Sequence, residues 1–129
     1  MKIVEIVEED KIVFDNGYTL EQYHSQDCCE HVYADFNVLD NYNLSTVTGK
    51  TINIRDIDFE ERIENLIQPV QNAGFNMVSK IGEKFFIPCY NEQNGYYSSD
   101  LELILRRLVS FGNVEEKIDI SDCVKDEIF

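Results

Sequence analysis

The stretch that decides the fold covers residues 85–107 and reads FFIPCYNEQNGYYSSDLELILRR. An apolar run enters it, Asn94-Gly95 lies near its centre, and a second apolar run leaves it. Asn-Gly between two such runs indicates a β-hairpin, because both residues tolerate positive φ angles. The stretch also carries amides, tyrosines, serines and paired arginines, which a plain turn does not need. These residues suggest a small-ligand site, with aromatic faces for a base and polar and guanidinium groups for ribose and phosphate.

The second half of this stretch allows two interpretations. Ser99 and Glu102 have the spacing of a helix capping box, and the leucines and isoleucine that follow recur at helical spacing. Against this, an Asn-Gly turn favours a returning strand, and residues 103–105 are acceptable in a sheet. The pattern alone leaves helix and strand open for residues 98–108.

The beginning of the chain has the pattern of a three-stranded meander. Residues 2–8 alternate in a strand-like way, and residues 12–14 form a short apolar run. Asn16-Gly17 then gives a second hairpin signal before residues 18–24. We therefore expect strands near 2–8, 10–15 and 18–24.

The rest of the chain predicts further short elements. Asp27 and Glu30 fit a capping box, so a short helix is expected over residues 28–37, followed by a polar loop over 37–49. Residues 51–57 favour a strand, and residues 58–72 fit either a helix or a strand, with a weak preference for strand or irregular structure because Pro69 would break a helix. Residues 75–80 and 84–90 indicate a hairpin, and residues 114–121 a final strand. The prediction is one α+β domain over residues 1–129, mainly antiparallel β-sheet and hairpins with one or two short helices.

Composition excludes several classes of protein. The chain has 129 residues, 43% of them hydrophobic, and a net charge of -14. Bulk binding to DNA, RNA or an anionic membrane needs basic surface, so these partners are not expected. No apolar run approaches the roughly 20 residues that span a bilayer, and the first residues do not resemble a signal peptide. A cytoplasmic location is therefore expected.

His24, Cys28, Cys29 and His31 are residue types that bind metals or perform nucleophilic catalysis. Structural zinc usually takes well-separated pairs, whereas Cys28 and Cys29 are adjacent, and no second cluster accompanies them. Neither a nucleophile elbow nor an oxyanion-hole glycine surrounds them. Buried thiols that pack a core are the favoured interpretation, with no metal, no cofactor and no enzymatic activity expected.

Two segments carry a resemblance to a known family. Residues 26–35 (QDCCEHVYAD) and 88–101 (PCYNEQNGYYSSDL) resemble motifs of the anti-Thoeris sponge family, a family of small phage proteins, and residues 118–123 (IDISDC) are similar as well. The resemblance implies a phage- or prophage-encoded anti-defence protein of the host cytoplasm. Such proteins bind the cyclic ADP-ribose isomer that a TIR-domain protein makes from NAD, and hold it without cleaving it. The Thoeris NAD-depleting effector then stays inactive.

The resemblance also implies partners and site residues. Family members form dimers and further assemble into hexamers with the nucleotide at subunit interfaces, and some also sequester cyclic oligonucleotide signals. Their pocket uses an aromatic ring for the base, and an asparagine, a serine and arginines for ribose and pyrophosphate. The candidate ligand-binding residues carried over to this chain are Phe85 or Phe86, Asn94, Ser98, Asp100, Arg106 or Arg107, and Arg55.

Two other functions stay open at this point. A chain of charge -14 could imitate nucleic acid and occupy a basic groove on a host factor. A less favoured alternative is an enzyme that cleaves the nucleotide rather than storing it.

Overall fold

The computed structural model describes residues 1–8, 10–24, 32–42, 46–47, 50–92 and 100–126. In these parts the chain forms mainly antiparallel β-sheets with two short helices, which confirms the predicted α+β class. The strands are β1 (Ile3–Val7), β2 (Lys11–Phe14), β3 (Tyr18–Tyr23), β4 (Val32–Ala34), β5 (Thr46–Val47), β6 (Lys50–Thr51), β7 (Ile67–Val70), β8 (Gly74–Val78), β9 (Lys84–Asn91), β10 (Glu102–Val109), β11 (Gly112–Asp119) and β12 (Lys125–Asp126), and the helices are α1 (Val38–Asn41) and α2 (Ile63–Leu66).

The first sheet has the strand order β1-β2-β3-β10-β11. Its first three strands are the predicted meander, and β2 and β3 are joined by the predicted Asn16-Gly17 turn. Gly17 has a φ of +88°, which glycine adopts without a steric penalty. The Asn16 side-chain oxygen accepts a hydrogen bond from the Tyr18 backbone N–H at 3.1 Å. The turn residues therefore fix the register of the hairpin locally.

β10 lies between β3 and β11, and this position decides between the two interpretations of its sequence. It is a strand, antiparallel to both neighbours. The β10–β11 hairpin is paired from Glu102 opposite Asp119 to Val109 opposite Gly112. Pairing between β3 and β10 stops earlier, at Tyr18 opposite Arg107. The end of the β10–β11 hairpin, residues 108–113, therefore projects beyond the rest of the sheet; we call it the hairpin tip.

The second sheet is built on β9. β7, β8 and β9 pair antiparallel in sequence, which confirms the predicted hairpin over 75–80 and 84–90. The carboxyl end of β9 pairs with β4 antiparallel and with β12 parallel. β9 and β10 thus lie in different sheets, and the hairpin expected across residues 85–107 is wrong as a strand pairing. Each strand instead pairs along its length with other partners, and the chain passes from one sheet to the other between them.

Three local expectations need correction. The predicted helix over 28–37 is wrong at Val32–Ala34, which is a strand: Val32 and Ala34 are buried and Tyr33 faces outward, a period of two. Its first residues, 28–31, lie outside the described part. The predicted strand over 51–57 ends at Thr51 and gives way to a 3-10 turn at Ile54–Asp56. The turn forms because the Asn53 side chain accepts a hydrogen bond from the Arg55 N–H at 3.0 Å.

The two remaining ambiguous segments combine several elements. Residues 58–72 contain both the short helix α2 and the strand β7, so each interpretation applies to part of the segment. The predicted loop over 37–49 contains α1 and the two-residue strand β5.

The two sheets share one buried cluster. The Phe59 ring connects them, with its centroid 6.4 Å from Phe14 of the first sheet and 5.6 Å from Phe85 of the second. All three rings are nearly inaccessible to solvent. Burial of such a side chain stabilises the fold by about 1.5–3 kcal/mol. Among the described residues, no helix is long and apolar enough to cross a membrane.

Candidate functional site

Phe85 and Phe86 are neighbours on β9, so their side chains face opposite sides of the second sheet. Phe85 is 3% exposed and packs edge-on against Phe59 and Tyr42, so it belongs to the core. Phe86 is 37% exposed. The Tyr42 hydroxyl donates a hydrogen bond to the Phe86 carbonyl at 3.2 Å, which fixes the backbone at this point. Of the two aromatic candidates, Phe86 is the one that offers a ring to a ligand.

Arg106 is engaged within its own chain. Its Nη1 donates to Glu21 at 2.7 Å and its Nε to Glu115 at 2.8 Å. The hydrogen bond to Glu115, followed by the charge of Glu21, raises the pKa of Arg106 above its already high normal value. A pyrophosphate at Arg106 would have to compete with two carboxylates already in contact.

Arg55 is engaged in the same way. It lies in the 3-10 turn, and its Nη1 is 3.3 Å from a carboxylate oxygen of Asp40. Arg62, which the sequence did not single out, donates from Nε to Glu116 at 2.9 Å. Three of the four arginines are therefore paired with carboxylates.

Arg107 has a different environment. Its guanidinium carbon lies 5.5 Å from the centroid of the Tyr18 ring, its cross-strand neighbour on β3. The side chain is exposed, and no carboxylate among the described residues forms an ion pair with it. A guanidinium held over an aromatic face keeps its hydrogen-bond donors free at the ring's edge. Arg107 is thus the described arginine best placed to receive a phosphate.

Asp100 precedes β10 and is held by a buried histidine. The His24 ring nitrogen Nδ1 is 2.5 Å from the Asp100 backbone oxygen, and this nitrogen must carry the proton because a carbonyl oxygen only accepts. Nδ1 also lies 3.4 Å from a carboxylate oxygen of Asp100. These contacts hold Asp100 beside the end of β3.

Asp100 lines a depression of about 170 Å³ on the face of the first sheet that points away from the core. Its lining comes from the ends of β3, β10 and β11: Tyr23, Asp100, Leu101, Glu102, Asp119 and Ser121. Tyr23, Glu102 and Asp119 are directly opposite one another across the three strands. Three carboxylates around one depression repel a pyrophosphate, so this place does not suit an anionic ligand.

Ser121 organises the edge of the same depression. Asp119 accepts hydrogen bonds from the Ser121 N–H at 2.8 Å and hydroxyl at 2.5 Å. These bonds, first the hydroxyl and then the backbone N–H, lower the pKa of Asp119. The Ser121 hydroxyl oxygen in turn accepts from the Leu101 N–H at 3.1 Å, which ties the start of β10 to the end of β11.

A pair of tyrosines stands where β9 ends. Tyr33 and Tyr90 are cross-strand partners with ring centroids 5.6 Å apart. The Tyr33 hydroxyl donates to Glu92 at 3.1 Å, and burial together with this carboxylate raises the pKa of Tyr33 to about 12. The sequence analysis missed this pair, and also Tyr18, because each depends on pairing between distant strands.

The described candidate residues are not all brought together within one chain. Asn94 and Ser98 lie outside the described residues. Asp100 and Arg106 are separated by about 20 Å along the strand, given a rise of about 3.3 Å per residue. Phe85 of the second sheet is buried in the core. Arg106 of the first sheet lies on the face that points away from the core. A wider groove of about 510 Å³ along β7 includes none of the candidate residues.

The described thiols are poor nucleophiles. Cys89 and Cys123 are both buried and reduced. Burial raises the pKa of Cys89 to about 12 and that of Cys123 in the same direction. Cys28, Cys29 and His31 lie outside the described residues. Within the described ranges, no group of histidine, cysteine and carboxylate side chains is arranged to hold a metal ion.

The chain belongs to a family described as a domain of unknown function, DUF7448, whose model matches residues 1–103. The matched range includes β1 to β9 and ends at the start of β10. No curated protein and no solved structure matches the chain.

Proposed function

We propose that this protein binds a cyclic ADP-ribose isomer and holds it unaltered, so that the Thoeris NAD-depleting effector is not activated. The resemblance of residues 26–35 and 88–101 to the anti-Thoeris sponge family supports this proposal. In this role the protein is phage- or prophage-encoded and acts in the cytoplasm of the host. It needs no catalytic group, because it acts by lowering the free concentration of the signal.

The observation that carries the proposal is the state of Arg107. Its guanidinium is exposed, stacked on Tyr18 and not paired with a described carboxylate. A pyrophosphate carries about two negative charges and accepts two parallel hydrogen bonds from the planar fork of an arginine. Arg107 is therefore the residue to which we assign the pyrophosphate, in preference to Arg106 and Arg55.

The magnitudes indicate that further groups take part. A base stacked on an aromatic ring such as Phe86 contributes about 1–3 kcal/mol, and one charge-assisted hydrogen bond about 1.5–3 kcal/mol. Nanomolar affinity needs about 12 kcal/mol. Arg107 and Phe86 together fall short of this value, so the proposal includes Asn94 and Ser98 as ribose contacts. It also includes self-assembly into dimers and hexamers, which would bring together residues of different copies. Cyclic oligonucleotides are a second proposed class of ligand.

A retention experiment tests the proposal. The protein is incubated with the product of a TIR-domain enzyme, passed through a desalting column, heated, and the supernatant is analysed by liquid chromatography and mass spectrometry. We expect the cyclic nucleotide to be released intact in amounts comparable to the protein. A cleaved product would identify an enzyme instead, and an empty supernatant would contradict binding.

A second candidate function rests on the acidic end of the first sheet. Glu102 and Asp119 are like charges directly opposite one another, and Asp100 is beside them in the same depression. Such pairs are destabilising unless a cation neutralises them. A basic groove of a host factor would neutralise these carboxylates. In that case the protein would act as an acidic mimic of nucleic acid. Binding to such a factor would fall steeply as salt rises from about 0.05 to 0.2 M, whereas capture of a buried nucleotide would change little.

A further inference from the structure

β11 is the edge strand of the first sheet, and the surface around it is unusual. It is eight residues long and mostly exposed, and only β10 pairs with it in the described structure. The adjoining hairpin tip presents Leu108, Val109 and Phe111, with Val114 just beyond it, and Phe111 is fully exposed. A long, exposed edge with apolar neighbours is a template for pairing with another strand.

We propose that β11 pairs antiparallel with β11 of a second copy of this chain, about a two-fold axis at Glu116. The two five-stranded sheets would then continue into one sheet across this seam. The seam rests on the self-assembly that the proposed function includes, and it names the strand and the register of that contact. It depends on the sequence of β11 and not on any ligand, so the retention of nucleotide tests the proposed function separately. The occupant is a second copy rather than another protein because β11 is complementary to itself.

The outward face of β11 carries opposite charges that can pair with a second copy of the same strand. With Glu116 on the axis, Glu115 lies opposite Lys117 of the partner subunit, and the reverse pair forms by symmetry. Glu115 already accepts a hydrogen bond from Arg106 of the neighbouring strand. Across the seam the charges therefore alternate from Arg106 to Glu115 to Lys117 of the partner subunit. Lys117 forms no ion pair with a carboxylate among the described residues of its own chain. The seam would therefore place a carboxylate opposite Lys117, which has no such partner in the described part of its own chain.

The neighbouring registers are excluded by the same residues. A shift by one residue would place core-facing side chains opposite outward-facing ones, so only shifts by two are possible. One such shift places Glu115 opposite its own copy and Lys117 opposite Asn113 of the partner subunit, so no opposite charges meet across the seam. The other places Lys117 opposite Lys117. Like charges directly opposite each other are destabilising. One register is thus left with opposite charges in contact.

The core-facing side of β11 fits the same register. Val114, which is 43% exposed, would lie opposite Ile118 of the partner subunit. Glu116 would lie opposite its own copy, but each Glu116 is already neutralised by Arg62 of its own chain at 2.9 Å. The repulsion between the two copies of Glu116 is therefore reduced, and the Val114–Ile118 pair on each side of it is apolar.

The hairpin tip completes the contact. Phe111 directly precedes β11, so in this register it would come near the residues that directly follow β11 of the second copy, where a 3-10 turn begins with Ser121. Ser121 lines the depression of about 170 Å³ beside Tyr23 and Leu101. A fully exposed ring on one copy thus meets a recess on the other, twice per dimer. Aromatic rings favour an edge directed at carboxylates, which this recess offers.

Two complementary charge reversals test the seam. Lys117→Glu places two glutamates opposite each other, and Glu115→Lys places two lysines opposite each other. We expect wild-type protein to have at least twice the mass of one chain by sedimentation, and each variant alone to dissociate about tenfold or more readily. Mixed in equal amounts, the two variants restore Glu–Lys pairs at both positions and should recover the wild-type mass.

Further variants separate the seam from general effects on the fold. Phe111→Ser should weaken the assembly without lowering the melting temperature of the monomer, because this ring is fully exposed. Ile81→Ser, at a residue of the β8–β9 turn that is 83% exposed, is the matched control and should leave the mass unchanged. A wild-type monomer, variants that assemble normally, or a mixture that stays dissociated would each overturn the proposal. So would pairing of the β11 edge with a basic peptide in preference to a second copy.

Discussion

Arg106 and Arg107 are neighbours in sequence, but strand geometry gives them different environments. Arg106 faces Glu21 and Glu115, whereas Arg107 lies over Tyr18 on the other face. The sequence could name the pair but could not choose between its members, because the partners that decide the matter come from β3 and β11. One ion pair of Arg106 joins residues 85 positions apart.

The first prediction follows from this difference. Arg107→Ala should weaken binding of the cyclic nucleotide by about 1.5–3 kcal/mol, because a charge-assisted hydrogen bond is lost. Arg106→Ala should have a smaller effect, since this guanidinium is already occupied by two carboxylates. Isothermal titration calorimetry measures both, with the melting temperature as the check on folding. Equal losses in the two variants would contradict the assignment.

Gly74 lies where the neighbouring strand leaves no room for a side chain. It has a φ of +154°, and a Cβ at this position would lie 2.1 Å from the Ile87 carbonyl oxygen on the neighbouring strand. Backbone cannot move aside as a flexible side chain can. Gly74→Ala should therefore lower the free energy of unfolding by about 1–3 kcal/mol or more, as measured by urea denaturation. Gly17→Ala is the comparison, because no atom lies within 4 Å of its Cβ position and any cost comes from its φ of +88° alone.

At the scale of elements, local patterns predicted strands well and their partners poorly. The Asn16-Gly17 hairpin was correct because turn, register and strand twist are all set by neighbouring residues. Asn94-Gly95 was misleading, because a turn signal does not say which sheet each flanking strand joins. The helix expected at 28–37 failed at Val32–Ala34, because pairing with β9 buries alternate residues. Tertiary pairing here overrides a local helical spacing.

The candidate site was predictable by residue type more than by position. The resemblance selected Phe85 or Phe86 as an aromatic, and the alternation of β9 now separates them into a core ring and an exposed one. Tyr18, Tyr33 and Tyr90 carried no local signal. Their roles arise from cross-strand contacts, which a single sequence does not encode in any short window.

The link between β10 and β11 yields a prediction on pH. The Ser121 bonds lower the pKa of Asp119, so the folded state favours the carboxylate more than the unfolded chain does. The resulting stabilisation is present above the unfolded pKa of about 4 and is lost as pH falls through the lower folded value. Asp58 acts with the same sign, because the amino group of Met1 lowers its pKa. Asp119→Asn should therefore make the melting temperature less dependent on pH between about 5 and 2.

The control for this experiment is a carboxylate on the opposite edge of the same sheet. Glu5→Gln, at an exposed position of β1, should leave the pH dependence as in wild type. A wild-type slope in Asp119→Asn would mean that other carboxylates govern acid unfolding.

For the whole molecule, the dominant quantity is the net charge of -14 on 129 residues. Self-repulsion of this size destabilises the compact state, and salt screens it over a Debye length of about 8 Å at 0.15 M. We expect the melting temperature of the Lys117→Glu variant to rise when sodium chloride increases from about 0.01 to 0.15 M. Because this variant is expected to be dissociated, its melting temperature reports the stability of the single chain and not that of the assembly. A melting temperature that falls with salt would show that attractive ion pairs outweigh the repulsion.

The unequal lengths of β3 and the β10–β11 hairpin have a consequence for how the sheet opens. Backbone amides of residues 102–107 have a strand on each side, whereas those of the tip have one neighbour at most. In the dissociated Lys117→Glu variant, deuterium should therefore enter the tip within seconds to minutes and reach the centre of β10 only through global opening. Exchange should therefore be fast from the free end of the hairpin and become slow at Arg107, where pairing with β3 begins.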